Sequence, residues 1–313
     1  MMNFKLETNI EKSSLNLNHQ DEIILIGSCF SNNMSFNLAN RGFSFFENPF
    51  GILFHPLAIS NVIHDSITNE KSVDIYKNDD LFYSWDSSGA IFDFSKDKLT
   101  KKILKTRKDL RLRLISSSFL IITFGSAWEY RHNDILKIVG NCHKEKQDKF
   151  TKSLTSVSLM EEIWSDIINR IRIINSDLKI IFTVSPVRHK QDGLINNNRS
   201  KSRLIELVHN LVSFNNVEYF PAYEILIDEL RDYRFYSDDL VHPSNFALKF
   251  IWEKFEHVYC SNDTIFLSNE VMKIKRTDSH KSIHPNSNSD IKMKEKNTSL
   301  KNKLIKKYPY LKI

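Results

Sequence analysis

Two short stretches at opposite ends of the chain hold residues that could move a proton. The first is Gly27-Ser28-Cys29-Phe30, directly after the aliphatic run Ile23-Ile24-Leu25-Ile26, and the second is Asp239-Leu240-Val241-His242. A serine hydroxyl is a weak nucleophile unless a base lies within hydrogen-bond reach. Three-residue spacing in a loop or first helical turn lets Asp239 accept from one ring nitrogen of His242, fixing the tautomer. The other nitrogen is then left to take a proton from Ser28. The expected roles are Ser28 as nucleophile, His242 as general base and then acid, and Asp239 as the group that orients it. Cys29 is the alternative nucleophile, because a helix N-terminus can lower a thiol pKa. Adjacent side chains point in different directions, so one of the two faces the base, and Ser28 is the expected one. The plainer reading makes Ser28 a helix cap, and Asp239 a cap for the helix that begins near Pro243.

These residues need a scaffold, and the chain alternates in a way that supplies one. Ile23–Ile26 reads as a strand buried on both faces, and Phe30, Met34 and Leu38 follow at helical spacing up to Gly42. A short strand over 42–46 breaks at Glu47-Asn48-Pro49-Phe50-Gly51, which is turn chemistry. Helices are expected over 56–67, 101–114, 150–174, 200–211 and 244–259, and strands over 119–124, 178–184 and 217–220. Residues 72–100, with Phe82, Tyr83, Trp85, Ile91, Phe92 and Phe94, read as an inserted hairpin. Strands separated by helices imply βαβ crossovers, hence α/β architecture with a parallel sheet covered on both faces. Ser28, Asn48, Gly51, Gly125-Ser126, Ser185–His189 and Asp239–His242 all fall after strands, on the edge where open α/β sheets place their sites.

Composition bounds the rest. With 313 residues and 41% hydrophobic content the chain suits a globular α/β body, expected over 1–268, and a basic tail over 269–313 expected to be disordered. The net charge of +6 is uneven, because Lys273–Ile313 carries 12 Lys and Arg against 3 Asp and Glu, leaving the body at −3. A nucleic-acid-binding body is therefore not expected. There is no apolar run long enough for a membrane span and no signal-peptide core, and Cys29, Cys142 and Cys260 are odd in number and far apart. A cytoplasmic setting without disulfides is the expectation. Asn141-Cys142-His143 lacks a second pair at ligand spacing, so neither metal nor cofactor is expected.

Several motifs together carry a family resemblance. Gly27–Ser31, Asn48-Pro49-Phe50-Gly51-Ile52-Leu53, Asn141-Cys142-His143-Lys144 and Ser185-Pro186-Val187-Arg188-His189 resemble those of the GSCFA-domain proteins, as do 228–236 and Asp239–Pro243. One departure is Ser31, where the family motif has Ala. That family resembles the SGNH (GDSL-like) hydrolases. The resemblance implies a three-layer α/β/α sandwich, flavodoxin-like, with a mostly parallel five-stranded sheet. It also implies ester chemistry through an acyl-enzyme, with Ser28 matching the nucleophile and Asp239 and His242 the last block. The third block, Gly125-Ser126-Ala127-Trp128, lacks the usual side-chain oxyanion donor. Asn48 and Asn141, with the backbone N–H groups of Cys29 and Gly51, are the expected substitutes. Arg188 and His189 could clamp an anionic substrate group, and Trp128 could stack on a sugar ring. The expected substrate is a small-molecule or glycan acyl ester. An acyltransferase and a catalytically silent binding module are the alternatives, and no oligomeric state is expected in particular.

Overall fold

The structure is a computed structural model that describes residues 6–280 and 283–313. Its first half runs β1 (Glu22–Gly27), α1 (Cys29–Asn40), β2 (Ser44–Glu47), α2 (Pro56–Thr68), β3 (Tyr76–Asn78), β4 (Leu81–Tyr83), β5 (Phe92–Asp93), α3 (Lys96–Ser116) and β6 (Phe119–Phe124). There follow β7 (Trp128–His132), β8 (Phe150–Leu154), α4 (Val157–Ile174), β9 (Lys179–Val184), α5 (Gly193–Leu211) and β10 (Val217–Phe220). The one-turn α6 (Ala222–Glu224), α7 (Asn245–Tyr259), α8 (Asn262–Ser279) and α9 (Asn288–Lys307) complete the series.

Five strands pair in parallel in the order β2-β1-β6-β9-β10. Because side chains alternate along a strand, each buried strand feeds two cores. Ile24, Ile26, Leu120, Ile122, Ile180 and Phe182 face one layer with residues of α2 to α5, such as Ile63, Leu110, Trp164 and Leu207. Ile23, Leu25, Phe119, Ile121 and Ile181 face the other with Phe30, Met34 and Leu38 of α1 and Trp252 and Phe255 of α7. The result is the expected α/β/α sandwich. Its sheet order reverses between β1 and β6, and such a reversal opens a crevice at the carboxyl ends.

Gly27 explains why β1 stops where it does. Its φ is +145°, and a Cβ there would overlap the Thr123 carbonyl of β6. Only glycine lets the two strands stay paired up to the turn.

Two smaller sheets decorate the body. The inserted aromatic stretch forms the antiparallel sheet β3-β4-β5. A second hairpin, β7 with β8, pairs Trp128 with Leu154 and His132 with Phe150. The expected helix over 150–174 therefore begins only at Val157, capped by Ser156. The stretch expected to be a disordered tail is largely helical. Helix α8 runs through Ser268 to Ser279, and α9 lies on it through Asn297, whose Nδ2 donates to Ile274 O at 3.2 Å and Asp278 Oδ1 at 2.7 Å. Leu267, Val271 and Leu311 close a small apolar cluster there. A helix held by caps and polar contacts shows no apolar stripe, which is why periodicity misses α9. Among the described residues, no helix is long and apolar enough to cross a membrane.

Candidate active site

The first turn of α1 decides which atom is available for chemistry. Ser28 is the N-cap, and its Oγ accepts from Phe30 N at 3.3 Å while its own N–H donates to Thr123 O at 3.0 Å. That hydroxyl is bent back over the helix start, and the residue is only 1% exposed. Satisfying an otherwise orphan N–H is what an N-cap side chain does. Cys29, the first helical residue, projects the other way. Its Sγ lies 3.9 Å from Nε2 of His242.

His242 is in turn held by its own loop. Its Nδ1 meets Asp239 Oδ2 at 2.6 Å, while Asp239 Oδ1 accepts from Val241 N at 2.9 Å and His242 N at 3.0 Å. These N–H groups, that of His242 foremost, together with the imidazole, hold the Asp239 carboxyl well below the usual carboxylate range. The loop is tied off by Ser237 N to His242 O at 2.8 Å and Ser244 N to Phe235 O at 2.8 Å. Leu240 takes a left-handed φ of 59° at its tip. Arg188 N donates to Val241 O at 3.2 Å, docking the loop against the segment that leaves β9. The geometry thus brings Asp239 and His242 together as expected, but with Cys29 and not Ser28. Ser28, expected to face the imidazole, has its hydroxyl on Phe30 N, and the contact to Nε2 is made by Cys29.

Burial pushes the Cys29 thiol up, opposed by the positive charge of Lys201 and by the N–H groups of Cys29 and Phe30. Lys201 is a buried neighbour of this pair that sequence reasoning missed. It is 1% exposed, and its Nζ donates to Gly125 O at 2.8 Å and Ser185 O at 2.6 Å, at the carboxyl ends of β6 and β9. Burial pushes its ammonium down to about 7. A signal for it exists: Lys201 sits among Asn197, Leu204, Leu207, Val208 and Leu211 on the buried stripe of α5, where a lysine needs a reason.

The expected oxyanion donors divide. The Cys29 N–H, first in α1, faces the Cys29 sulfur, where it favours negative charge. By contrast, Gly51 N donates to Asn48 O at 2.7 Å, so its N–H is committed within a turn. Asn48 is a hinge: its Oδ1 accepts from Gly27 N at 2.8 Å and its Nδ2 donates to Asn32 Oδ1 at 2.7 Å. Asn141 Oδ1 accepts from His143 N at 2.7 Å and makes no bond to the Cys29–His242 pair. Ala127, in the third block, is buried with its N–H on Ser200 Oγ at 2.7 Å.

Of the other expected residues, Arg188 adjoins the His242 loop and stacks on Tyr236 at 4.1 Å. His189 packs edge-on against Phe54, and burial pushes it down to about 4, with the charge of Lys201 adding to the effect. Trp128 donates Nε1 to Asn196 O at 3.2 Å and carries Lys152 over its ring, so it serves the contact between hairpin and α5. Among the described residues no cluster of three or more His, Cys, Asp or Glu could hold a metal ion.

A doubly wound sheet with a thiol, an imidazole and a carboxylate aligned at its carboxyl edge defines an open α/β protein with a row of three polar groups at its crevice. The chain belongs to the GSCFA family, whose model matches residues 22–255. Among solved structures, it is similar to an acetyl xylan esterase from the rumen bacterium Butyrivibrio proteoclasticus, at 10% identity and a TM-score of 0.30. That alignment covers 68% of this chain and 57% of the esterase chain, so this protein spans little more than half the length of that structure. No curated protein matches the chain.

Proposed function

We propose that the chain is an acyl-ester hydrolase whose nucleophile is Cys29. The observation that carries this reading is the continuous row from Cys29 Sγ through His242 to Asp239 Oδ2, with separations of 3.9 Å and 2.6 Å. In the reaction the thiol proton passes to His242 Nε2 as sulfur attacks the ester carbonyl. Asp239, accepting at Nδ1, keeps that nitrogen protonated and stabilises the imidazolium. The oxyanion forms beside the Cys29 N–H at the start of α1, where the helix dipole favours negative charge. Collapse of the tetrahedral intermediate expels the alcohol, which takes the proton from His242, and leaves a thioester on Cys29. Water, deprotonated by the same imidazole, attacks the thioester and releases the acid. A thiol reaches its nucleophilic form more readily than a hydroxyl, so a sulfur contact of 3.9 Å is compatible with this role.

The test is to trap the intermediate. Incubation with short acyl p-nitrophenyl esters, acid quench and peptide mass analysis should find the acyl group on Cys29 in the wild type. It should be absent from Cys29→Ala and still present in Ser28→Ala. An acyl group on Ser28 would restore the hydroxyl as nucleophile, and no acylation at either residue would favour a binding module.

A further inference from the structure

Beside the His242 loop lies a second feature that the acyl-transfer row does not use. It is a cavity of about 330 Å³ lined by Arg188, Leu194, Asn198, Lys201, Tyr223 and Ile227, among others. Its polar groups are donors out of balance. Arg188 stacks on Tyr236 and Tyr233, at 4.1 and 5.3 Å, and forms no salt bridge among the described residues. Asn198 uses its Oδ1 to accept from Tyr223 OH at 3.3 Å and from Asn197 Nδ2 at 3.2 Å, which leaves its own NH2 group for another partner. Lys201 sits at the base with two carbonyl acceptors and no acidic one.

No carboxylate lines this cavity. Of the acids in the vicinity, Glu224 accepts from the Tyr219 hydroxyl at 2.7 and 2.8 Å while its charge also reaches Lys201 and Tyr223, and Asp228 acts on the Tyr223 side of the cavity. A buried lysine amine, a stacked guanidinium and a free amide donor with apolar walls make a receptor for an oxyanion on a short carbon chain. Arg188 is also tied to the base: its N–H holds Val241 O, one residue before His242.

Resting on the acyl-hydrolase reading, we infer that this cavity binds an anionic group, a carboxylate or a phosphate, carried by the ester substrate. The substrate class is then an acyl ester with a negative charge a few bonds from the scissile carbonyl. Leu194, Ile205 and Ile227 would cover the intervening methylenes.

The test separates binding from turnover by using the Cys29→Ala protein, in which no chemistry can occur. Glutarate, propyl phosphate and the neutral glutaramide are titrated by calorimetry. At least one anion should bind, glutaramide should not, and Arg188→Gln should weaken the anion at least about tenfold. Asn198→Asp, on an exposed position of α5, should weaken it likewise by repulsion and keeps the test open if Arg188→Gln does not fold. Glutarate binding selects a carboxylate and propyl phosphate binding a phosphate. The inference is overturned if neither anion binds, if glutaramide binds equally, or if both variants bind as tightly as the parent. Loss of the acyl-enzyme reading would show separately, as absence of acylation at Cys29.

Discussion

The sulfur of Cys29 stands 3.9 Å from Nε2 of His242, across 213 positions of chain, while the neighbouring Ser28 hydroxyl turns back onto Phe30 N. One step along the helix start therefore separates a side chain facing the imidazole from one that caps the helix. The two substitutions should separate as cleanly. Cys29→Ala should remove ester turnover with little change in stability, because the side chain is short and half-buried. Ser28→Ala should lower stability by about 1 kcal/mol through the lost cap, yet retain turnover. Parallel kinetics and urea unfolding check both.

Asp239 fixes which imidazole nitrogen carries the proton. In Asp239→Asn the amide offers N–H to Nδ1 and selects the wrong tautomer. The expected outcome is a fall in kcat of roughly a thousandfold or more with a folded protein, measured with a p-nitrophenyl ester. A fall of less than tenfold would show that the carboxylate does not orient the base.

Lys201 raises a question about the thiol that pH can answer. Its charge opposes the upward push that burial exerts on Cys29. Lys201→Met removes that charge, so the thiolate should form at higher pH. Alkylation of Cys29 by iodoacetamide, followed peptide by peptide against Cys142 and Cys260, should slow by roughly tenfold at neutral pH and recover at alkaline pH. An unchanged rate profile would remove Lys201 from the chemistry of the sulfur.

His55 makes a prediction about acid stability. It caps α2 by accepting from Leu57 N at 3.1 Å, and burial pushes its pKa from 6.5 down to about 4. Between those values the unfolded chain holds the extra proton and the folded chain does not. Its contribution is therefore present above pH 6.5 and is lost as the pH falls towards 4, by roughly 3 kcal/mol. His55→Asn, which can still cap the helix, should flatten this part of the stability curve. Denaturant melts at stepped pH values measure it.

Gly27 is a tight point beneath the site. Gly27→Ala places a methyl group against the Thr123 carbonyl at a φ of +145° that alanine avoids. A loss of at least about 1–3 kcal/mol is expected, with the β1–β6 pairing and the Cys29 position disturbed together. Thermal unfolding and residual turnover should fall in step.

What the sequence reveals follows from how strongly each feature marks it. The core strands are apolar runs because both of their faces are covered, and the Asp239–His242 pair is visible because its members share a loop. The hairpin of β7 and β8 is hidden, since Thr151, Lys152 and Ser153 are exposed and offer no apolar alternation. Which of Ser28 and Cys29 makes the imidazole contact is hidden for a subtler reason. Composition places both at a helix start, but only the φ and ψ of Ser28, −70° and 176°, make it the cap. Gly51 likewise reads as a free donor until its turn partner, the Asn48 carbonyl, is known.

The loop from Tyr236 to Pro243 is bridged at its two ends and supplies both the acid and the ring. It is a preassembled cassette, and its internal alignment owes nothing to the sheet. Only the seam between that cassette and the first turn of α1 must be registered by the whole fold. Mild loosening of the protein should therefore open the relay at the sulfur first, with the carboxylate and imidazole still paired.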